Sequence, residues 1–123
     1  MNGNSIVLDT NIILYLLNGN VQLSDILVGM DLNISIISEI ELLGYGGLSL
    51  EEKSKIKLFL SYCQVIALND IVKDNSILIK QQAKIKTPDA IVAATAQYLN
   101  IPLITADRGF DKISNLDLIL FKI

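Results

Sequence analysis

Four carboxylates sit where apolar runs of the chain give way to helix-forming stretches. Asp9 directly follows the run SIVL, and Asp107 follows PLIT with only Ala106 between. Glu41 falls one turn into the helix expected after LNISI, and Asp89 opens a further helix. In a parallel sheet, ligands bind outside the carboxyl ends of the strands, so these four acids can meet at one rim. Acids held together repel and raise one another's pKa, and a cation is the usual compensation. Oxygen-only donors favour Mg²⁺ or Mn²⁺ over zinc, and a magnesium ion held by few carboxylates keeps positions for a phosphate and an attacking water. That is the chemistry of phosphodiester hydrolysis.

Composition closes most other routes. The chain has no His, which removes catalytic triads, imidazole metal sites and imidazole acid–base chemistry. Cys63 is its one cysteine, so disulfide frameworks and cysteine zinc sites are excluded as well. Net charge is -3 and Arg108 is the one arginine, so broad electrostatic adhesion to nucleic acid is not expected, and a nucleic-acid partner would need a metal's help. An aspartyl phosphatase of the haloacid-dehalogenase type would want a second Asp two residues after Asp9, where this chain has Asn11.

Each acid also has a structural reading. Ser38 and Glu41 have capping-box spacing, a helix dipole favours Asp89, and Asp9 and Asp107 can cap turns. Glu39 reads as a solvated residue of the same helix start, and the alternation Lys53, Lys55, Lys57 as an exposed helix surface. Gly44, Gly46 and Gly47 match neither phosphate-binding glycine fingerprint and read as a helix stop and loop.

The elements that must position these residues alternate short β-branched runs with helix-period segments, the pattern of βαβ units around a parallel sheet. Five strands are expected, at 5–8, 32–36, 64–68, 102–105 and 116–121. Helices are expected at 11–18, 24–30 and 38–45, the last with Ser38 as its cap. A fourth runs from a capping box at Ser49 and Glu52 to about residue 62, and a fifth from an Asn69 cap to about residue 86. The sixth has Thr87 as N-cap, Pro88 first and Asp89 second, and Asn100 ends it. With 123 residues, 51% apolar, and 20 Ile and 20 Leu, residues 1–123 are expected to form one domain with a sheet covered on both faces. No apolar run approaches the ~18 residues of a membrane span, and the start of the chain lacks the positive charge of a signal peptide. A soluble, cytoplasmic protein is expected.

Four segments, IVLDTNIILYLL (6–17), ISEIELLGYG (37–46), TPDAIVAATA (87–96) and ITADRGFDKI (104–113), resemble the four successive motifs of PIN-domain ribonucleases, especially VapC-type toxins of bacterial toxin–antitoxin pairs. Order and spacing cover almost the whole chain. The resemblance implies an α/β, PIN-like three-layer fold with a parallel sheet of about five strands flanked by helices. It implies that Asp9, Glu41, Asp89 and Asp107 are the catalytic, metal-binding acids, with Asn11 and Thr105 as polar supports. It selects Glu41 over Glu39 by the Leu-Leu-Gly-Tyr stretch that follows. It further implies Mg²⁺- or Mn²⁺-dependent RNA cleavage leaving a 5′-phosphate, a tRNA or rRNA substrate, a homodimer and a small antitoxin partner. Lys84, Lys86 and Arg108 are the local candidates for substrate binding. Many relatives carry a further acid where this chain has Gly109, and Asp111 is the candidate substitute. An RNA-processing nuclease without an antitoxin and a non-catalytic binding module on the same fold are the alternatives.

Overall fold

The computed structural model describes residues 4–122. The reading of the chain's start as lacking a signal peptide rests partly on Met1, Asn2 and Gly3, which lie outside the described residues. Five strands, β1 (Ser5–Leu8), β2 (Asp31–Ser35), β3 (Gln64–Ile66), β4 (Leu103–Thr105) and β5 (Leu118–Leu120), form one sheet in the order β3-β2-β1-β4-β5. Every neighbouring pair is parallel. Helices α1 (Thr10–Leu17) and α2 (Val21–Leu27) join β1 to β2, and α3 (Ile36–Leu43) and α4 (Leu50–Ser61) join β2 to β3. Helices α5 (Asp70–Gln82) and α6 (Thr87–Leu99) carry the chain from the β3 edge to β4, and a 3-10 turn (Arg108–Lys112) leads toward β5. The order reverses between β1 and β4, which puts the topological switch point, where ligands of such sheets bind, at the carboxyl ends of these two strands.

The alternation of side chains along a strand divides the core in two. Ile6, Leu8, Ile34 and Ile104 point to the side covered by Ile12, Ile13, Leu23, Leu42, Ile56 and Leu60 of α1 to α4. Val7 and Leu103 point to the other side, against α5, α6 and Phe110. Three layers result, and their hydrophobic burial is the main stabilising term. Helix α6 is the most enclosed, with every residue from Ala90 to Ala96 buried, and its alanines let it lie close to both the sheet and α5. Among the described residues, no helix is long and apolar enough to cross a membrane.

Several helix starts differ from expectation for identifiable reasons. Helix α2 begins at Val21, because the Asn20 side chain accepts from Leu23 N–H at 2.9 Å and Ser24 lies inside the helix. Helix α3 is capped by Ser35, whose Oγ accepts from Ile37 N–H at 3.1 Å, so Ser38 is an interior, fully buried residue. The N-cap of α6 is Lys86, not Thr87, since the Lys86 carbonyl accepts the Ala90 N–H at 3.0 Å. Helix α5 stops at Gln82, four residues early, where Ala83 turns extended. The capping box of Ser49 and Glu52 and the Asn69 cap are present as expected. Gly44 ends α3, and Asn100 ends α6 in the left-handed conformation at φ 56°.

Candidate active site

Asp9 stands at the end of β1 and is buried. Its Oδ1 accepts from Thr10 N–H at 2.8 Å and its Oδ2 from the Thr105 hydroxyl at 2.6 Å, which ties the ends of β1 and β4 together. Thr105 Oγ1 in turn accepts from Asp107 N–H at 3.0 Å, and Asp107 Oδ1 accepts from Gly109 N–H at 2.8 Å. Asn11, the second residue of α1, accepts from Ala106 N–H at 3.3 Å and ties the same loop to α1. One hydrogen-bonded chain therefore fixes Asp9 and Asp107 relative to each other. Both also serve as caps, of α1 and of the 3-10 turn, so the structural reading of these two acids holds alongside any chemical one.

Glu41 is in the second turn of α3, and it closes no capping box with Ser38 because the cap is Ser35 and Ser38 lies inside the helix. Its Oε1 accepts from the Thr10 hydroxyl at 2.8 Å, and Thr10 Oγ1 lies 2.9 Å from Ser38 Oγ. Thr10 and Ser38 are thus polar supports that the sequence reading did not select. Thr10 lies between Asp9 and Asn11 in the first motif, whereas Ser38, expected as the cap of α3, lies inside its first turn. Asp89 is the third residue of α6, where its charge also suits the helix dipole.

The electrostatics show that the four acids share one region. Burial raises the Asp9 carboxyl above its ordinary value against the pull of the Thr105 and Thr10 hydrogen bonds, and the charges of Asp89 and Asp107 push it further up. Asp89 is raised by burial, then by Asp107 and Glu41, while Lys86 acts in the opposite sense. The ion pair found among the described residues, Lys73 with Asp70 at 3.7 Å, lies elsewhere, on α5. An all-oxygen, net negative donor set of this kind fits a hard divalent cation in charge and donor type. As the side chains stand, however, no group of three or more acids or cysteines among the described residues is arranged to hold a metal ion.

The remaining candidates divide. Lys86 acts on Asp89, and Arg108 is exposed beside Asp107. Lys84 is exposed, and its carbonyl accepts from Lys112 Nζ at 2.8 Å. Gly109 brings its N–H to Asp107, and Asp111 is exposed on the 3-10 turn and does not figure among the charges acting on Asp9 or Asp89. Cys63 is half-buried, and burial pushes its thiol up to about 11, so it is no nucleophile at neutral pH. Lys55, one of the three alternating lysines of α4, donates to the Leu17 carbonyl at 2.6 Å and so caps the end of α1.

Solved structures resemble the chain over nearly its whole length. A toxin–antitoxin complex from Klebsiella pneumoniae matches with a TM-score of 0.83 and 26% identity, covering 96% of this chain and 99% of that one. VapBC-1 from nontypeable Haemophilus influenzae matches with a TM-score of 0.76 and 28% identity over 94% and 97%. VapBC2 from Rickettsia felis, bound to a DNA fragment from its promoter, matches in fold with a TM-score of 0.86 and 23% identity over 96% and 99%. No curated protein sequence matches the chain. The PIN domain family model matches residues 6–116, which is most of the chain and includes all four acids, and with the three-layer parallel fold it establishes that the chain belongs to the PIN domain family.

Proposed function

We propose that the chain is a Mg²⁺- or Mn²⁺-dependent endoribonuclease and the toxin of a type II toxin–antitoxin pair, a single-domain cytoplasmic homodimer that cleaves tRNA or ribosomal RNA. The observation that carries this reading is the mutual charge effect among Asp9, Glu41, Asp89 and Asp107 at the strand-order reversal, supported by membership of the PIN family. These four acids would hold the metal, with Asn11 and Thr105 in support. When bound, Mg²⁺ or Mn²⁺ supplies Lewis-acid stabilisation of a phosphodiester and lowers the pKa of water. The protein's own residues do the positioning. Thr105 orients Asp9 and anchors the Asp107 backbone, and Thr10 orients Glu41. Lys86 and Arg108, at the edge of the acids, are suited to steer RNA phosphates, with Lys84 and Asp111 as further candidates. The toxin–antitoxin neighbours support a partner that restrains the activity.

Purified protein incubated with total RNA and Mg²⁺ or Mn²⁺ should give discrete cuts with 5′-phosphate ends, absent in Asp9→Asn. Undiminished cutting in excess EDTA would overturn the metal mechanism. A second reading, a non-catalytic PIN-fold binding module, is favoured by the absence of a formed metal-binding arrangement among the described residues. It predicts that titration with Mn²⁺ gives no binding, whereas the nuclease reading predicts binding that Asp89→Asn weakens.

A further inference from the structure

Next to the acids is a feature that the hydrolysis does not use. Helix α3 ends at Gly44, and the chain passes through Tyr45, Gly46 and Gly47 before the Ser49 cap of α4. Tyr45 is 68% exposed, and a large aromatic ring left in solvent on a short loop forgoes the burial that would stabilise it. The ring is seated against Gly47, where an added Cβ would meet Tyr45 Cε2 at 2.9 Å and Cζ at 3.4 Å. Residue 47 must lack a side chain for the ring to hold that place. Tyr45 lines a groove of about 360 Å³ together with Thr10 and Glu41 and with Leu48, Glu52 and Ile56.

Three properties identify an occupant. Thr10 and Glu41 of the acid site line the groove, so a nucleotide adjoining a phosphate that a cation on the acids would bind lies next to it. Leu14, Leu42, Leu48 and Ile56 supply apolar walls beside the tyrosine ring, a surface matched to the flat face of a base. Two carboxylates among the lining residues, Glu41 and Glu52, disfavour a phosphate inside the groove, and Glu52 can accept an N–H group from a base edge. Glu52 is already oriented, since its Oε1 accepts from Ser49 N–H at 3.0 Å and leaves Oε2 available.

We propose that this groove receives one unpaired nucleobase of the RNA, next to the scissile phosphate, stacked on Tyr45 with its amino-bearing edge toward Glu52. Tyr45 is then a positioning residue that selects where the RNA is cut, and the inference rests on the nuclease reading above. The test compares wild type, Tyr45→Phe, Tyr45→Ala and Gly47→Ala on a single-stranded oligoribonucleotide containing a mapped cut site, with Mg²⁺. Loss of a base–aromatic stack should raise KM roughly tenfold in Tyr45→Ala with kcat little changed, and should relax base preference beside the cut. Tyr45→Phe should restore both, and Gly47→Ala, which makes the ring shift, should fall between wild type and Tyr45→Ala. In an Asp9→Asn background with Mg²⁺, where cutting is nearly abolished, the same oligonucleotide should quench tyrosine emission when Tyr45 is present and not when it is replaced by Ala. If Tyr45→Ala keeps the wild-type KM and cut positions, the base site is overturned and the nuclease reading stands. If it cuts RNA normally but escapes a protein inhibitor, the groove belongs to a partner's side chain instead. Failure of wild type to cut any RNA overturns both readings.

Discussion

At the level of single residues, the charge strain at Asp9 and Asp89 acts against stability, and its sign is testable. Asp9 and Asp89 both hold protons more tightly in the folded chain than the ~3.9 of an unfolded aspartate. The folded state therefore binds more protons than the unfolded one, and their ionisation opposes folding. That penalty is complete at pH values above the raised folded pKa and disappears as pH falls toward the unfolded value. Metal-free wild type should accordingly gain stability, relative to Asp9→Asn/Asp89→Asn, as pH drops from neutrality toward about 4. At neutral pH the variant should melt higher in EDTA, while Mg²⁺ should raise the Tm of wild type alone. Thermal melts that stay parallel across pH would contradict the assignment of charge strain to these two acids. In the nuclease assay, either single Asn substitution should nearly abolish cutting. Thr105→Val tests the positioning role separately. It removes the donor to Asp9 and the acceptor for Asp107 N–H at a fully buried site, so a loss of about 1–3 kcal/mol in stability and a 10–100-fold drop in metal affinity are expected. Isothermal titration with Mn²⁺ beside a denaturant melt reads both.

At the level of elements, local chemistry was legible wherever it acts within a few residues. The Ser49–Glu52 capping box is one case, and Ser49→Ala should destabilise the protein by about 1 kcal/mol in urea titration, leaving the denaturant slope unchanged. An unchanged midpoint would mean that α4 is held by packing of Ile56 and Leu60 alone. The strands were legible because the alternation of Ile6 and Leu8 against Val7 serves two buried faces at once. Choices between near-equivalent residues were not. Ser35 and Ser38 are both reasonable caps by spacing, and what decides is that Ser38 meets Thr10, 28 residues away, in the interior. The 3-10 turn at Arg108–Lys112 is too short to show a period, although Asp107 and Gly109 form it by a single side-chain hydrogen bond. Asp9 and Asp107 were readable from where apolar runs stop, and Glu41 and Asp89 from their places near helix starts. Their hydroxyl supports were only half readable, because Thr105 lies in a recognisable segment and Ser38 gains its place through tertiary contact.

At the level of the whole molecule, two surfaces remain unbalanced. Leu14 of α1, Val21 and Ile26 of α2 and Val28 just beyond are each at least 45% exposed on two helices that pack against each other. The acid rim, on the same loop system that starts α1, carries negative charge without an ion pair among the described residues. A small basic protein that lays an apolar segment along α1 and α2 and offers a cation to the acids would relieve both. Arginine suits the second task, since its planar fork can engage two carboxylates, and by occupying the acids it would compete with Mg²⁺. Expression of the chain alone should then arrest growth, and co-expression of such an antitoxin should restore it while the purified complex stays inactive on RNA. Asp9→Asn should be harmless alone yet still bind the antitoxin, because docking on α1 and α2 does not depend on hydrolysis. Val21→Lys/Val28→Lys should do the reverse, remaining toxic and active on RNA while escaping the antitoxin. If the chain expressed alone is harmless yet fully active on RNA, the toxin assignment fails and the nuclease assignment survives it.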